Sequence, residues 1–122
     1  VISYAWLVQY RLPTDGSADF IDSDGDGMNN WQEWMAGTDP TSSSSSFRII
    51  SIATTNSDVL VTWTTGPSKA SALQGASSDN YNTNAFDDIF VVTNMTGTVT
   101  NYLDIGAATN GTARYYRARL VP

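Results

Sequence analysis

The stretch Asp58-Val-Leu-Val-Thr-Trp-Thr-Thr65 alternates apolar and polar residues more clearly than most of the chain. Successive side chains of a β-strand point to opposite faces, so Val59, Val61 and Trp63 share one face of such a strand. A strand with one apolar face must bury that face against a second layer. The stretch therefore predicts a half-buried strand of a layered β fold.

Other short apolar runs, separated by turn residues, surround this stretch from Phe47 to the end of the chain. Those runs are Phe47 to Ala53, a weak Lys69 to Ala76, Asp88 to Thr93, Thr98 to Ile105 and Ala113 to Val121. Tyr116, Ala118 and Leu120 face opposite to Arg117 and Arg119 in the last run. Ile89 to Val92 is apolar throughout, which favours a central strand covered on both sides. The spacing predicts a mainly β fold, a small antiparallel β-sandwich of the fibronectin or immunoglobulin kind.

The part of the chain before these strands has a different composition. Two aromatic-rich segments, Tyr4 to Tyr10 and Asn30 to Ala36, each suit about two helical turns, and Gly37 and Pro40 end the second. Residues 41–46 are Thr-Ser-Ser-Ser-Ser-Ser, which predicts a linker. We therefore predict three parts: a helix, loop and helix module at 1–40, the linker at 41–46 and the β-domain at 47–122.

Composition limits the function. The chain has 122 residues, 41% hydrophobic, with no Cys and no His, which excludes disulfides, thiolate nucleophiles, Ser-His-Asp catalysis and the usual zinc sites. Seven of the twelve acidic residues lie between Leu12 and Phe47, where there is no Lys or Arg. This concentration of negative charge argues against nucleic acid as a partner and favours a bound cation. The longest mainly apolar stretch, Val1 to Tyr10, is shorter than the roughly 20 residues of a membrane span.

The acidic residues are most regularly spaced in Asp22-Ser-Asp-Gly-Asp-Gly-Met-Asn-Asn-Trp-Gln-Glu33. Ca²⁺ takes about six to eight oxygens, and the EF-hand loop supplies them from positions 1, 3, 5, 7, 9 and 12, with Gly at position 6. The loop matches this pattern in full. The predicted ligands are the carboxylates of Asp22, Asp24 and Asp26, the backbone carbonyl of Met28, Asn30 directly or through water, and bidentate Glu33.

The loop, followed by Gly37-Thr-Asp-Pro40, resembles the thrombospondin type 3 and dockerin-like calcium repeats of secreted bacterial proteins. Leu12 to Asp19 and the closing Arg114-Tyr-Tyr-Arg-Ala-Arg-Leu-Val-Pro122 resemble a unit of secreted proteins from environmental bacteria, in which such a repeat is joined to a small β-domain. The resemblance implies a structural Ca²⁺ ion and an extracellular or cell-surface location. Two features depart from these repeats. Asn29 occupies position 8, where paired EF-hands have an apolar residue, and the loop occurs once.

Several other residues carry alternative interpretations. Asp39 either caps a turn or contributes, with Asp15 or Asp19, to a second ion. Asp79 and the pair Asp87-Asp88 could be read as glycosidase carboxylates, although nothing in the sequence marks them as buried. Four aromatic residues could form either a sugar-binding platform or a small core; these are Trp6, Tyr10, Trp31 and Trp34. Asn94-Met-Thr96 and Asn110-Gly-Thr112 match the glycosylation pattern, which is frequent by chance in a chain rich in Asn and Thr.

These features together predict a non-enzymatic, extracellular, calcium-stabilised structural protein, a self-assembling subunit of a surface fibre or matrix. Its expected partners are copies of itself, joined through the apolar segment Val1 to Tyr10, which either docks on a neighbouring copy or folds back on its own calcium loop. The alternative is a secreted carbohydrate-binding or accessory module of a larger enzyme, which would bind glycans.

Overall fold

The computed structural model describes residues 2–77, 86–93, 97–108 and 114–121. Two short helices precede six strands in the described residues. The helices are α1 (Tyr4–Gln9) and α2 (Asn30–Ala36), and the strands are β1 (Arg48–Thr55), β2 (Asp58–Thr64), β3 (Ala70–Ser77), β4 (Asp87–Val92), β5 (Val99–Asp104) and β6 (Arg114–Val121). Neither helix is long and apolar enough to cross a membrane.

The strands form two antiparallel sheets of three strands each. Sheet A has the order β1-β2-β5 and sheet B the order β4-β3-β6. In sheet A, Ile52 lies opposite Val61, which lies opposite Tyr102. The mainly β, antiparallel fold is thus the one that the sequence predicts.

The main core lies between the two sheets. Val59, Val61 and Trp63 of β2 form one buried cluster with Leu73 of β3, so the alternation in β2 is confirmed. The indole N–H of Trp63, which is fully buried, donates a hydrogen bond to Ser71 Oγ at 3.0 Å. Burial of an indole normally requires such a partner for its N–H. The two sheets therefore pack in a sandwich-like arrangement around one tryptophan.

The prediction of a central, doubly covered strand at Ile89 to Val92 is wrong. β4 lies at an edge of sheet B, and Val91 is 47% exposed. The central strand is β3, whose residues 71–76 are all buried. Most side chains of β3 are small, which lets neighbouring elements approach it closely. Ile89 and Phe90 of β4 pack against the core although their strand lies at the edge of the sheet.

A ladder of polar side chains crosses sheet B from edge to edge. Gln74 of β3 donates to Asp88 of β4 at 2.8 Å and accepts from Arg117 of β6 at 2.6 Å. Arg119 contacts both oxygens of the Asp88 carboxylate, at 2.9 and 2.6 Å. This two-point contact is the strong form of an arginine–carboxylate pair. The ladder ties the two edge strands of the sheet to its centre.

The N-terminal segment packs against its own chain. Ile2 and Leu7, each 4% exposed, form a second buried cluster with Ala18, and four larger side chains pack around it: Trp6, Leu12, Trp31 and Trp34. Residues 2–10 therefore fold back on their own chain, and the docking of this segment on a neighbouring copy, which is compatible with this packing if the interface is shared, stays a prediction. Residues 10–21 separate α1 from the acidic loop, so α1 does not lead directly into the loop as the first helix of an EF-hand does.

Helix α2 connects the loop to the sheets. It ends at Gly37, whose positive φ of 72° suits a glycine. The Gly66 N–H, in the connection between β2 and β3, donates to the carbonyl of Ala36 at 3.1 Å, and a Cβ on Gly66 would overlap that carbonyl oxygen. The predicted linker begins after Pro40 and ends at Ser46, and both of these residues are buried.

Candidate metal centre

The loop Asp22–Glu33 is shaped by glycines and by carboxylates that accept backbone hydrogen bonds. Gly25 and Gly27 have φ of 73° and 93°, in the left-handed region that glycine adopts without strain. Their N–H groups donate to Asp22 Oδ1 and Oδ2 at 2.8 and 2.9 Å. These two bonds fold the chain sharply around the first carboxylate. The N–H of Gly27 has the largest effect in lowering the pKa of Asp22.

The next two aspartates each use one oxygen for the loop and leave the other without a hydrogen-bond partner. Asp24 Oδ1 accepts from the N–H of Asp26 at 3.3 Å, and Asp26 Oδ1 accepts from the N–H of Met28 at 2.8 Å. The Oδ2 atom of each residue is buried and unpaired. Ligand oxygens of Asp22, Asp24 and Asp26 lie within 4.8 Å of one another.

Glu33, in the first turn of α2, lies near enough to Asp26 and Asp24 for their charges to act on it, but it is not part of the close group that those two residues form with Asp22. Its side chain is fully buried, and neither carboxylate oxygen has a hydrogen-bond partner. Burial, and then the negative charges of Asp26 and Asp24, raise the pKa of Glu33 to about 8. Burial is also the largest cause that raises the pKa of Asp24. A buried ionised carboxylate without a partner is costly, so these groups require either protons or a cation.

The donor set suits a hard divalent cation. The ligand atoms offered by Asp22, Asp24, Asp26 and Glu33 are all carboxylate oxygens, and Ca²⁺ accepts many such ligands in irregular, flexible geometry. Mg²⁺ demands a tighter octahedron and keeps more of its water. Asp22, Asp24, Asp26 and Glu33 would hold the ion, which would supply the positive charge that their shared site lacks.

The remaining predicted ligands lie in the same loop but also have structural partners. Asn30 is fully buried, donates through Nδ2 to the carbonyl of Ala18 at 2.8 Å, and accepts at Oδ1 from Ser23 Oγ at 3.1 Å. Its amide thus fastens the loop to the preceding segment. The side chain of Met28 reaches the β-domain, where its sulfur accepts from the N–H of Phe47 at 3.3 Å. Their roles as ligands stay predictions.

Two of the three residues considered for a second ion, Asp15 and Asp39, hold local turns. Asp15 Oδ1 accepts from the N–H and Oγ of Ser17, and Asp39 Oδ1 accepts in the same way from Thr41. The Asp19 carbonyl accepts from the N–H of Trp31 at 2.9 Å. Across the described residues, Asp22, Asp24 and Asp26 form the one close group of three or more potential ligands, and Asp15, Asp19 and Asp39 do not join it.

Asn29 has a role that comparison with the EF-hand pattern did not reveal. Its side chain accepts from the N–H of Gln32 at 2.8 Å, and the Gln32 side chain accepts from the N–H of Asn29 at 2.8 Å. This reciprocal pair is a capping box at the start of α2. The pattern Asn-x-x-Gln could have identified it in the sequence. The cap fixes the helix that carries Glu33.

The aromatic residues near the loop pack edge to face. The ring pairs Trp6–Tyr10 and Trp31–Trp34 have centroids 5.0 and 6.0 Å apart and interplanar angles of 60° and 63°. Both tryptophans of the second pair also pack around Ile2 and Leu7. A sugar platform needs ring faces that are open to the ligand, so this geometry favours the small core.

The carboxylates considered for glycosidase chemistry have other surroundings. Hydrogen bonds from Arg119 and Gln74 lower the pKa of Asp88 to about 2, whereas a general acid needs a raised pKa. Asp79 lies outside the described residues, as do the two glycosylation patterns at 94–96 and 110–112.

Comparison of the chain with protein-family models, with curated proteins and with solved structures finds no match. The resemblance to thrombospondin type 3 and dockerin-like repeats therefore rests on the sequence alone and stays a prediction.

Proposed function

We propose that the loop Asp22–Glu33 binds Ca²⁺ and that the chain is a non-enzymatic, calcium-stabilised structural protein of the cell exterior, which assembles with copies of itself. One observation carries the proposal: four carboxylate oxygens of Asp24, Asp26 and Glu33 are buried in one loop without a hydrogen-bond partner. A solvated acidic turn would leave these oxygens in water.

The energy of such a site favours a structural role for the ion. A ligand that binds only the folded state, at a free concentration about a hundredfold above its dissociation constant, adds about 2.7 kcal/mol to the free energy of unfolding. Domains of ordinary size have roughly 5 to 15 kcal/mol in total. Extracellular calcium modules bind with dissociation constants of about 10⁻⁴ to 10⁻³ M, so a gain of about 2.7 kcal/mol in millimolar Ca²⁺ needs a site about tenfold tighter than that range.

The composition supports a function without catalysis. The chain has no Cys and no His, and Asp88 is held ionised by Arg119 and Gln74. Glu33, whose pKa is strongly raised, is fully buried near the proposed ligands Asp24 and Asp26.

The test measures thermal unfolding of the wild type and of Glu33→Gln, each in millimolar Ca²⁺ and in chelator at neutral pH. We expect Ca²⁺ to raise the melting temperature of the wild type by several degrees, because about 2.7 kcal/mol is a large share of the stability of a small chain. Glu33→Gln keeps the shape of the side chain but removes its charge. It should lose the calcium response and, in chelator, should be at least as stable as the wild type.

The matched control is Asp87→Asn, which neutralises an exposed carboxylate on β4, far from the loop in sequence. This variant should respond to Ca²⁺ as the wild type does. The proposal fails if the wild type does not respond to millimolar Ca²⁺, or if Glu33→Gln keeps the full response.

A further inference from the structure

A cavity lies between the last turn of α2 and the end of sheet B at which β3 begins and β6 ends. Its volume is about 620 Å³, within the roughly 300 to 1,000 Å³ typical of cavities that hold small ligands. Five of its lining residues have apolar side chains: Trp34, Met35, Ala70, Leu120 and Val121. Most of the wall therefore suits an apolar ligand, or the apolar part of one.

The other two lining residues are polar, and one of them carries a charge. Ser68, which is exposed, brings a hydroxyl group, and Lys69 brings an ammonium group. The stem of Lys69 lies over the residue that ends α2, since a Cβ added to Gly37 would be 3.0 Å from Cε and 3.1 Å from Cγ of Lys69. This packing holds Lys69 in the wall of the cavity and restricts where its ammonium group can lie.

The wall of the cavity does not neutralise this ammonium group. None of the lining residues is acidic, although acidic residues outnumber basic ones by twelve to six in the chain. In the part of the chain that the structure describes, the ion pairs are Arg114–Asp104 and Arg119–Asp88. Lys69 therefore lies in a mostly apolar wall without an ionic partner among the described residues.

The end of α2 does not account for the position of Lys69. A cation near the C-terminus of a helix commonly interacts with carbonyl groups that the helix leaves free. Here the carbonyl of Trp34 accepts from the N–H of Gly37 at 3.3 Å. The carbonyl of Ala36 accepts from the N–H of Gly66 at 3.1 Å. Because backbone groups already cap these carbonyls, the ammonium group remains free to contact a ligand.

We propose that this cavity binds an alkyl carboxylate, whose head group lies at Lys69 and Ser68 and whose chain lies on the apolar wall. An ammonium group and a hydroxyl group both donate to carboxylate oxygens, and hydrogen bonds between charged groups are the stronger kind. One lysine balances a single negative charge, whereas a phosphate monoester carries about two. Such binding would be an activity separate from the proposed structural function.

The apolar wall continues beyond this cavity, which favours an unbranched chain as the apolar part. A second cavity, of about 280 Å³, shares Met35 and Leu120 with the first, and its other lining residues include Met28, Trp31 and Phe47. Met35 is 41% exposed, and its unbranched thioether side chain adapts to the shape of its neighbours. An alkyl chain that is longer than the first cavity therefore meets further apolar surface along α2.

The first experiment titrates the isotope-labelled protein with octanoate at neutral pH and follows its amide signals by NMR. We expect the amides of Lys69, Ala70 and Val121 to shift, with a dissociation constant of about a millimolar or below. The amide of Val61, in the other sheet, should stay unchanged. Hexanoate should bind more weakly than octanoate, by about fourfold for each methylene group removed. 1-Octanol, which lacks the charge, should bind about tenfold more weakly than octanoate.

Two variants that each remove one positive charge test the role of Lys69. Lys69→Met keeps most of the apolar stem and should lower the affinity for octanoate by about tenfold or more, without weakening the binding of 1-octanol. Arg48→Met is the matched control, because Arg48 is exposed and lines neither cavity. It should bind octanoate as the wild type does.

A second measurement, on the wild type, decides the question if Lys69→Met does not fold. Lys69 is the only lysine of the chain, so mass spectrometry can follow the acetylation of one side-chain amine. Octanoate should slow this acetylation severalfold, whereas acetate at the same concentration should not, because acetate lacks the apolar chain. The inference would be overturned by no binding of millimolar octanoate, by amide shifts only outside the cavity, by 1-octanol that binds as tightly as octanoate, by equal losses in both variants, or by acetylation that octanoate does not slow.

Discussion

Two carboxylates at opposite ends of the acidic loop are stabilised in different ways. Asp22 is exposed and accepts two backbone N–H groups, which lower its pKa and hold it ionised. Glu33 is buried near Asp24 and Asp26, and its pKa is raised because burial and these two charges outweigh the opposite effect of the Thr38 hydroxyl, which donates to the Glu33 backbone carbonyl and leaves the carboxylate unpaired. The beginning of the loop is therefore preorganised by the chain itself, whereas its end depends on whatever neutralises Glu33. This difference explains why Glu33 is the decisive position for mutation.

The carboxylate of Asp88 gives a pH dependence that does not involve the loop. Hydrogen bonds from Arg119 and Gln74 hold its pKa at about 2, below the ordinary value of 3.8. Because the pKa of Asp88 is lower in the folded state than in the unfolded state, its ionised form stabilises the fold at every pH above the unfolded-state pKa. This stabilisation is lost as the pH falls through about 2. We expect Asp88→Asn to melt below the wild type at neutral pH, and the difference to shrink towards zero as the pH falls from about 4 to about 2.

Thermal melts of both proteins in chelator at several pH values would measure this effect. The neighbouring Asp87→Asn is the control and should melt close to the wild type at neutral pH, since surface changes of this kind have small effects. A difference for Asp88→Asn that is the same at pH 2 and pH 7 would show that the ladder contributes through packing and not through ionisation.

For single residues, the spacing of the aspartates in the sequence was enough to predict that they lie close together, because positions in a short loop follow directly from residue number. Asp22, Asp24 and Asp26 lie close together, and Glu33 is buried near Asp24 and Asp26 but outside this close group. The second role of Asn30 could not be predicted. Its partners are Ser23 and the carbonyl of Ala18, and these contacts exist only after the preceding segment has folded back.

Among the elements, strand bounds could be predicted and strand order could not. All six predicted runs begin and end within about two residues of the observed strands, because alternation and turn residues are local signals. The weakest run, Lys69 to Ala76, forms the buried centre of sheet B, and the most apolar run forms an edge. Small residues such as Ala72 and Gly75 give little hydrophobic signal, yet they allow close packing in the centre of a sheet.

The helix α2 should depend on its N-terminal cap. Asn29→Ala removes the acceptor for the Gln32 N–H and should lower the free energy of unfolding by about 1 kcal/mol. The loss should be present in Ca²⁺ and in chelator alike, provided that α2 forms in both, because the cap acts on the helix itself. Urea denaturation under the two conditions measures it.

Asn29→Asp is the matched control, since aspartate is an equally good N-cap residue. It should keep most of the stability of the wild type. If Asn29→Ala were neutral while Asn29→Asp destabilised the chain, the added charge beside the acidic loop would matter more than the cap.

For the whole molecule, α2 belongs to both halves of the structure. Its first turns carry Glu33, and its C-terminal carbonyl at Ala36 accepts from the N–H of Gly66 between β2 and β3. Met28 reaches Phe47 at the start of the β-domain. The composition of residues 41–46 predicts a boundary between the two halves. The contacts across that boundary could not be predicted, because they involve backbone groups and a glycine whose positions depend on the folded chain. A disturbance of the loop therefore has two routes to the β-domain, through Met28 to Phe47 and through α2 to Gly66.

Removal of calcium should therefore open the molecule in a defined order, which hydrogen exchange can follow residue by residue. In chelator, the amides of Asn30 and Trp31, which close the loop by donating to Ile21 and Asp19, should exchange faster. If the ion contributes about 2.7 kcal/mol, the acceleration is about a hundredfold. The Gly66 amide should follow them, because its acceptor lies on α2.

The amides of Val61 and Leu73, in the central strands of the two sheets, serve as the internal reference. They should stay protected in chelator, since the core around Trp63 does not involve the loop. Equal acceleration at Val61, Leu73 and Asn30 would mean that the ion stabilises the chain as one cooperative unit. Slow exchange at Gly66 alongside fast exchange at Asn30 would mean that α2 stays docked on the sheets when the loop opens, and that the contact at Ala36 does not transmit the loss of the ion.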